Sequence, residues 1–116
     1  MDDTITITDL ELWTKIGVTE DERTKEQRVL VTVRLPVDAA AVAQDDDVSK
    51  GTSYFDVTKA VRALAAMERK TIERLAEDIA SAILRNFHPA SVTVTVKKFP
   101  IAGARNVAIR IHRRKE

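Results

Sequence analysis

Along this chain the spacing of apolar residues changes from two to about 3.6 and back to two, and this limits the possible folds most. Residues 4–9 alternate strictly, with Ile5 and Ile7 on one face, and the pattern is expected to continue through Leu10, Leu12 and Trp13. Gly17 and the charged stretch 19–26 interrupt it. Val29, Val31, Val33, Leu35 and Val37 then alternate with Arg28, Leu30, Thr32, Arg34 and Pro36, which predicts a long second strand paired antiparallel to the first.

Helical spacing follows. Residues 39–43 predict a short helical turn, closed by Asp45-Asp46-Asp47, which we read as a solvated loop because adjacent aspartates diverge and lack ligand spacing. Val57, Ala60, Val61, Leu64 and Met67 mark the buried stripe of a helix capped by Asp56. Glu68-Arg69-Lys70 breaks that stripe, and a second helix runs from Ile72 to about Phe87 behind Thr71 as N-cap. His88-Pro89 stops it, and His88 is read as part of that stop. Val92, Val94 and Val96, then Val107, Ile109 and Ile111, give two closing strands around an irregular loop at 98–105. The strand-strand-helix-helix-strand-strand order (ββααββ) predicts a single α+β domain over residues 1–116: a four-stranded antiparallel sheet with two helices on its apolar face. Its other face, with Arg28, Thr32, Arg34, Thr93, Thr95, Lys97, Arg110 and His112, meets water or lines the lumen of a barrel built from several subunits.

Composition narrows the function. The chain has 116 residues, 44% apolar and 32% charged, which excludes general disorder. A formal charge of +1 argues against a nucleic-acid surface, and Arg113-Arg114-Lys115 is read as a solvated end. With no cysteine there is no disulfide, thiolate metal site or cysteine nucleophile. No apolar run approaches a membrane span, and Met1-Asp2-Asp3 does not open a signal peptide, so a cytoplasmic protein is expected.

Four side chains can carry chemistry. Glu73 lies in the first turn of the second long helix, where a carboxylate suits the dipole or, held still, offers two acceptors to a flat nitrogen-rich ring. Lys98 shares the parity of Val92, Val94 and Val96, so it either enters the apolar side, where desolvation lowers a lysine pKa, or ends in solvent beyond the strand. Tyr54 is the single tyrosine, and Glu22 sits in a charged connection with Gln27 nearby. Singly, none is specific.

Together and in this order they resemble the dihydroneopterin aldolase family, with its tunnelling fold. The matching elements are Ile16-Gly17-Val18 with Glu22-Arg23 and Gln27; Asp46 with Ser53-Tyr54; Ile72-Glu73-Arg74-Leu75-Ala76-Glu77; Lys98; and Asn106-Val107-Ala108-Ile109-Arg110-Ile111. The resemblance implies retro-aldol cleavage of 7,8-dihydroneopterin in folate biosynthesis, without metal, cofactor or lysine Schiff base, since the N5=C6 imine of the substrate accepts the electrons. It implies that Glu73 anchors the pterin, aided by the Ile72 backbone, and that Lys98 serves as acid and base. Tyr54 would move a proton at the hydroxymethyl carbon, and Glu22 would position hydroxyls or water. It also implies a homo-oligomer, a tetrameric barrel or a stacked octamer, with sites between subunits. Two departures stand out: Lys15-Ile16-Gly17 replaces a Tyr-His-Gly-type sequence, and Phe99-Pro100 follows Lys98. The Ile-Gly form resembles the related dihydroneopterin triphosphate 2'-epimerase, for which Lys15, Lys97 and Arg105 are available cations. A non-catalytic pterin- or purine-binding oligomer is the alternative outside enzymes.

Overall fold

A computed structural model describes residues 2–116. Strands β1 (Thr4–Thr14), β2 (Gln27–Pro36), β3 (Ser91–Lys98) and β4 (Val107–Arg114) form one antiparallel sheet in sequential order. Between β2 and β3 come helices α1 (Ala39–Asp45), α2 (Tyr54–Leu64) and α3 (Ile72–Phe87). Helix α3 lies over β3 and β4, and α2 lies beside it over β1. The residues that alternate inward along the strands meet the stripes of these helices in one aliphatic core. Val31, Val33, Val92, Val94 and Val96 of the sheet and Leu75, Ile79 and Ile83 of α3 are almost wholly excluded from water.

Strand β1 keeps its inward face by a device that alternation does not reveal. Ile7 pairs with Val33 but Leu10 pairs with Val31, so two residues of β1 stand opposite Thr32. Asp9 takes the left-handed conformation at φ 53° there, which a short polar side chain tolerates, and its N–H donates to Thr32 Oγ1 at 3.0 Å. The bulge resets the parity and puts Leu10, Leu12 and Thr14 toward the helices.

The helix ends differ from expectation at α2. Ser53, not Asp56, is the N-cap: its Oγ accepts from the Asp56 N–H at 3.4 Å. The helix ends at Leu64, and Met67 is 59% exposed instead of buried. The cause is Arg69, read from the sequence as part of a charged break. Its guanidinium donates to Leu64 O at 2.7 Å and Met67 O at 2.9 Å, and Thr14 Oγ1 donates to Ala65 O at 2.7 Å. Carbonyls that a longer helix would have used are thereby satisfied. Thr71 caps α3 through the Arg74 N–H at 3.0 Å, and His88 ends it in the left-handed region at φ 55°, both as expected. Asp46 is the C-cap of α1 and Asp47 accepts from the Ser49 N–H at 3.0 Å, so two of the three aspartates hold the chain's turns.

The shape is long. The radius of gyration is 15.3 Å, against about 13 Å for a compact domain of this length. Strands β1 and β4 are the outer strands of the sheet, each pairing with one neighbour. No helix among the described residues is long and apolar enough to cross a membrane.

Arg69 closes the end of this core. Its side chain is 3% exposed, and its Nε donates to Asp78 Oδ2 at 2.8 Å. Desolvation pushes the Asp78 carboxyl upward, but hydrogen bonds from Arg69 and Arg74 outweigh it and hold the pKa below the usual carboxylate value. A carboxylate whose folded pKa is depressed contributes stability that is complete above its unfolded pKa of about 3.9 and is lost as pH falls through the folded value. Asp78→Asn should therefore flatten the acid side of the stability profile, read by urea denaturation from pH 7 to pH 2. Arg69→Ala leaves the Leu64 and Met67 carbonyls and Asp78 Oδ2 without their Arg69 donor, although Arg74 still holds Asp78 Oδ1. It should cost about 3 kcal/mol at pH 7, toward the lower end for a pair that water still reaches. A loss below 1 kcal/mol would contradict this role.

Candidate active site

The chain between β1 and β2 is tied down before it reaches its functional side chain. The Arg69 N–H donates to Lys15 O at 3.1 Å and the Gly17 N–H to Arg69 O at 3.2 Å, which clamps Ile16, fully buried, beside the segment preceding α3. Gln27 Nε2 donates to Ile16 O at 2.6 Å and Glu22 O at 3.0 Å, and Arg23 donates to Gly17 O at 2.8 Å and Val18 O at 3.1 Å. A glycine is required at 17 for space: a Cβ there would stand 2.2 Å from the Glu22 Cβ.

Glu22 is fixed from both sides. Its Oε1 accepts from the Thr19 N–H at 3.3 Å and hydroxyl at 3.1 Å, while Thr19 Oγ1 accepts from the Glu22 N–H at 3.2 Å. This reciprocal pairing is a capping box, and Thr-x-x-Glu at 19–22 is its sequence signature, hidden within the charge run. Oε2 is left for Lys98, whose Nζ lies 3.0 Å away. Lys98 ends β3 on the buried face, in register with Val107, and is only 8% exposed, so strand parity persists to the last residue. The Lys98 hydrogen bond first, and the Thr19 backbone N–H second, hold the Glu22 carboxyl below its ordinary pKa.

Helix α3 begins three residues after Arg69, so the Arg69–Gly17 bond brings its N-terminus to this same end of the molecule. Ile72 is half-buried there. Glu73 is exposed, and among the described residues no hydrogen bond or ion pair engages its carboxylate. Glu22, Lys98, Ile72 and Glu73 thus gather at one end. Tyr54 does not join them. It is about half exposed, at the start of α2, where it lines a small apolar groove with Ile5, Val37 and Val42. Lys98 lies level with Val29 and Leu12, and the seven-residue step from Ile5 to Leu12 along β1 is roughly 20 Å.

A lysine–glutamate pair beside a helix start with an unengaged carboxylate is equipped for acid–base chemistry. Comparison with known proteins is more specific. The family model of dihydroneopterin aldolase matches residues 5–112, and the chain belongs to that family. The Escherichia coli K12 dihydroneopterin aldolase is 32% identical over 113 residues, covering 96% of this chain and 93% of that protein. A crystal structure of the E. coli enzyme in complex with neopterin superposes with a TM-score of 0.91 at 32% identity, over 96% of this chain and 98% of that one. A dihydroneopterin triphosphate 2'-epimerase from Pseudomonas aeruginosa is 29% identical over 83 residues, 71% of this chain and 68% of that protein.

The pairing makes a direct prediction for the unliganded protein. By carboxyl-carbon NMR, Glu22 should titrate below an ordinary glutamate, and Lys98→Met should raise its midpoint. An unchanged midpoint would mean that the two side chains do not pair in solution.

Proposed function

We propose that this chain cleaves 7,8-dihydroneopterin by a retro-aldol reaction, giving 6-hydroxymethyl-7,8-dihydropterin and glycolaldehyde in cytoplasmic folate biosynthesis. The observation that carries this reading is the Lys98–Glu22 contact of 3.0 Å at the end of a buried strand, in a chain of this family. Glu73 accepts two hydrogen bonds from the amino group and ring N–H of the pterin, with the Ile72 backbone beside it; its lack of an internal partner leaves both oxygens available. Glu22 orients the side-chain hydroxyls or a water. Lys98 relays the proton of the second side-chain hydroxyl as the bond between the first and second side-chain carbons breaks. The electron pair moves into the N5=C6 imine and N5 takes up a proton, while glycolaldehyde leaves. The enol that remains is then protonated at the hydroxymethyl carbon by Tyr54, and the N5 proton is lost.

This sequence needs Tyr54 near Lys98, which one chain does not provide. The site is therefore completed by a second copy that brings its α2 start to the Lys98 end. The open edges of β1 and β4 and the elongated shape favour such an assembly, a barrel of four chains or a stacked pair of barrels whose lumen is lined by the polar sheet face.

Epimerisation of a triphosphate is the second reading, favoured by Ile16-Gly17 and the P. aeruginosa relative. It demands free cations. Lys97 is not free, because its Nζ pairs with Asp9 Oδ1 at 3.1 Å, which leaves Lys15 and Arg105. We favour the aldolase. Purified protein mixed with 7,8-dihydroneopterin should release glycolaldehyde and 6-hydroxymethyl-7,8-dihydropterin together. A diastereomer without glycolaldehyde would replace the aldolase by the epimerase, and binding without turnover would remove the acid–base role of Lys98. In the same assay Glu73→Ala should weaken pterin binding by about 2–5 kcal/mol, whereas Lys98→Ala should lower turnover far more than binding.

A further inference from the structure

The polar face of the sheet takes no part in the Lys98–Glu22 contact, which lies on the helix side, and it has an order of its own. Strand register sets two adjacent rows across it: Thr32, Thr95 and Arg110 in one, and Thr6, Arg34, Thr93 and His112 in the other. Threonine needs no special explanation in a strand, since a β-branched side chain suits the pleated surface. The arginines do. Two other long cations on this face have a carboxylate, Arg28 at 3.8 Å from Glu11 and Lys97 at 3.1 Å from Asp9, while Arg114, beside Ser91 at the end of β4, has none. Among the described residues Arg34 and Arg110 have no ion-pair partner.

They occupy opposite corners of an open groove of about 450 Å³ whose lining contains no carboxylate. Arg34 is on β2 and Arg110 on β4, with Thr93 and Thr95 of β3 between them. Two strand spacings and a two-residue step put their Cα atoms roughly 12 Å apart, which side chains of this length span toward a shared guest. Each guanidinium offers five N–H donors in a planar fork suited to phosphate oxygens, and the Thr95 hydroxyl adds a donor beneath, while the Thr93 hydroxyl is hydrogen-bonded to His112 Nδ1 at 2.8 Å. The chain as a whole carries a formal charge of only +1, so this is a local concentration of positive charge and not one part of a general cationic coat.

We propose that this groove binds a small phosphate-class anion of two or more negative charges, held between Arg34 and Arg110 above Thr93 and Thr95. The bound anion offsets the mutual repulsion of the two guanidinium groups. The site is separate from pterin chemistry and stands or falls on its own.

Titration calorimetry on the full chain tests it, with inorganic phosphate and tripolyphosphate as separate probes at low ionic strength. Saturable binding of at least one probe, near one per chain, is the expected result. Arg34→Gln and Arg110→Gln, checked for folding by circular dichroism, should each weaken it about tenfold or more. Arg62→Gln, which removes the same charge from the exposed side of α2, should leave it unchanged. Absence of saturable binding of either probe by the wild-type chain overturns the proposal whatever the variants do. So does an equal loss in Arg62→Gln, which would reduce the effect to net charge, or undiminished binding in both groove variants.

Discussion

A lysine whose stem lies on the buried face of a sheet must meet a counter-charge at its tip, because an unpaired ammonium shielded from water costs several kcal/mol. Lys98 is in that position, and much of the surrounding architecture follows from supplying its partner. Glu22 comes from a connection that would otherwise be a solvated loop. To bring it there the chain uses a glycine at 17, a capping box at Thr19, an amide brace from Gln27 and a guanidinium brace from Arg23. Arg69 joins this arrangement to the start of α3, so the carboxylate at Glu73 and the pair at Lys98 are located by one network. The site is as rigid as that network.

The parts legible in the sequence were those written as a period. Alternation located the four strands and helical spacing located α2 and α3, whereas parity left Lys98 open between the apolar side and solvent, and the structure puts it on the buried side. What escaped were features in which one residue contradicts its class. Continuation of the strand past Asp9 was expected, but alternation gave no sign of the left-handed turn there that lets β1 go on in the opposite parity. Arg69 looks solvated in Glu68-Arg69-Lys70, yet carbonyls exposed by the end of α2 draw its guanidinium inward. Thr19 was lost among acids and bases although its spacing from Glu22 is a recognised signature. Ser53 outcompetes Asp56 as a cap because it stands at the position whose side chain reaches the third N–H of the helix.

Family resemblance gathered Glu22, Tyr54, Glu73 and Lys98 into one set, and the geometry divides that set. Three of them share an end of the sheet, and Tyr54 stands roughly 20 Å away along β1. Chain order carries no information about which copy of a chain supplies a group, so this division was invisible in the sequence. In the proposed assembly, a second copy laid against an open outer strand would complete both the hydrogen-bond ladder and the proposed site.

The central claim is therefore that Lys98 and Tyr54 act together only across two copies, and mixing inactive chains measures it directly. Lys98→Ala and Tyr54→Phe proteins would be unfolded together, refolded at equal ratio and assayed for 6-hydroxymethyl-7,8-dihydropterin. If sites form between copies, random assembly leaves roughly a quarter of them with both native residues, and activity should recover to about that fraction of wild type. Recovery no greater than the sum of the two variants alone, in oligomers shown to contain both chains, would contradict the account.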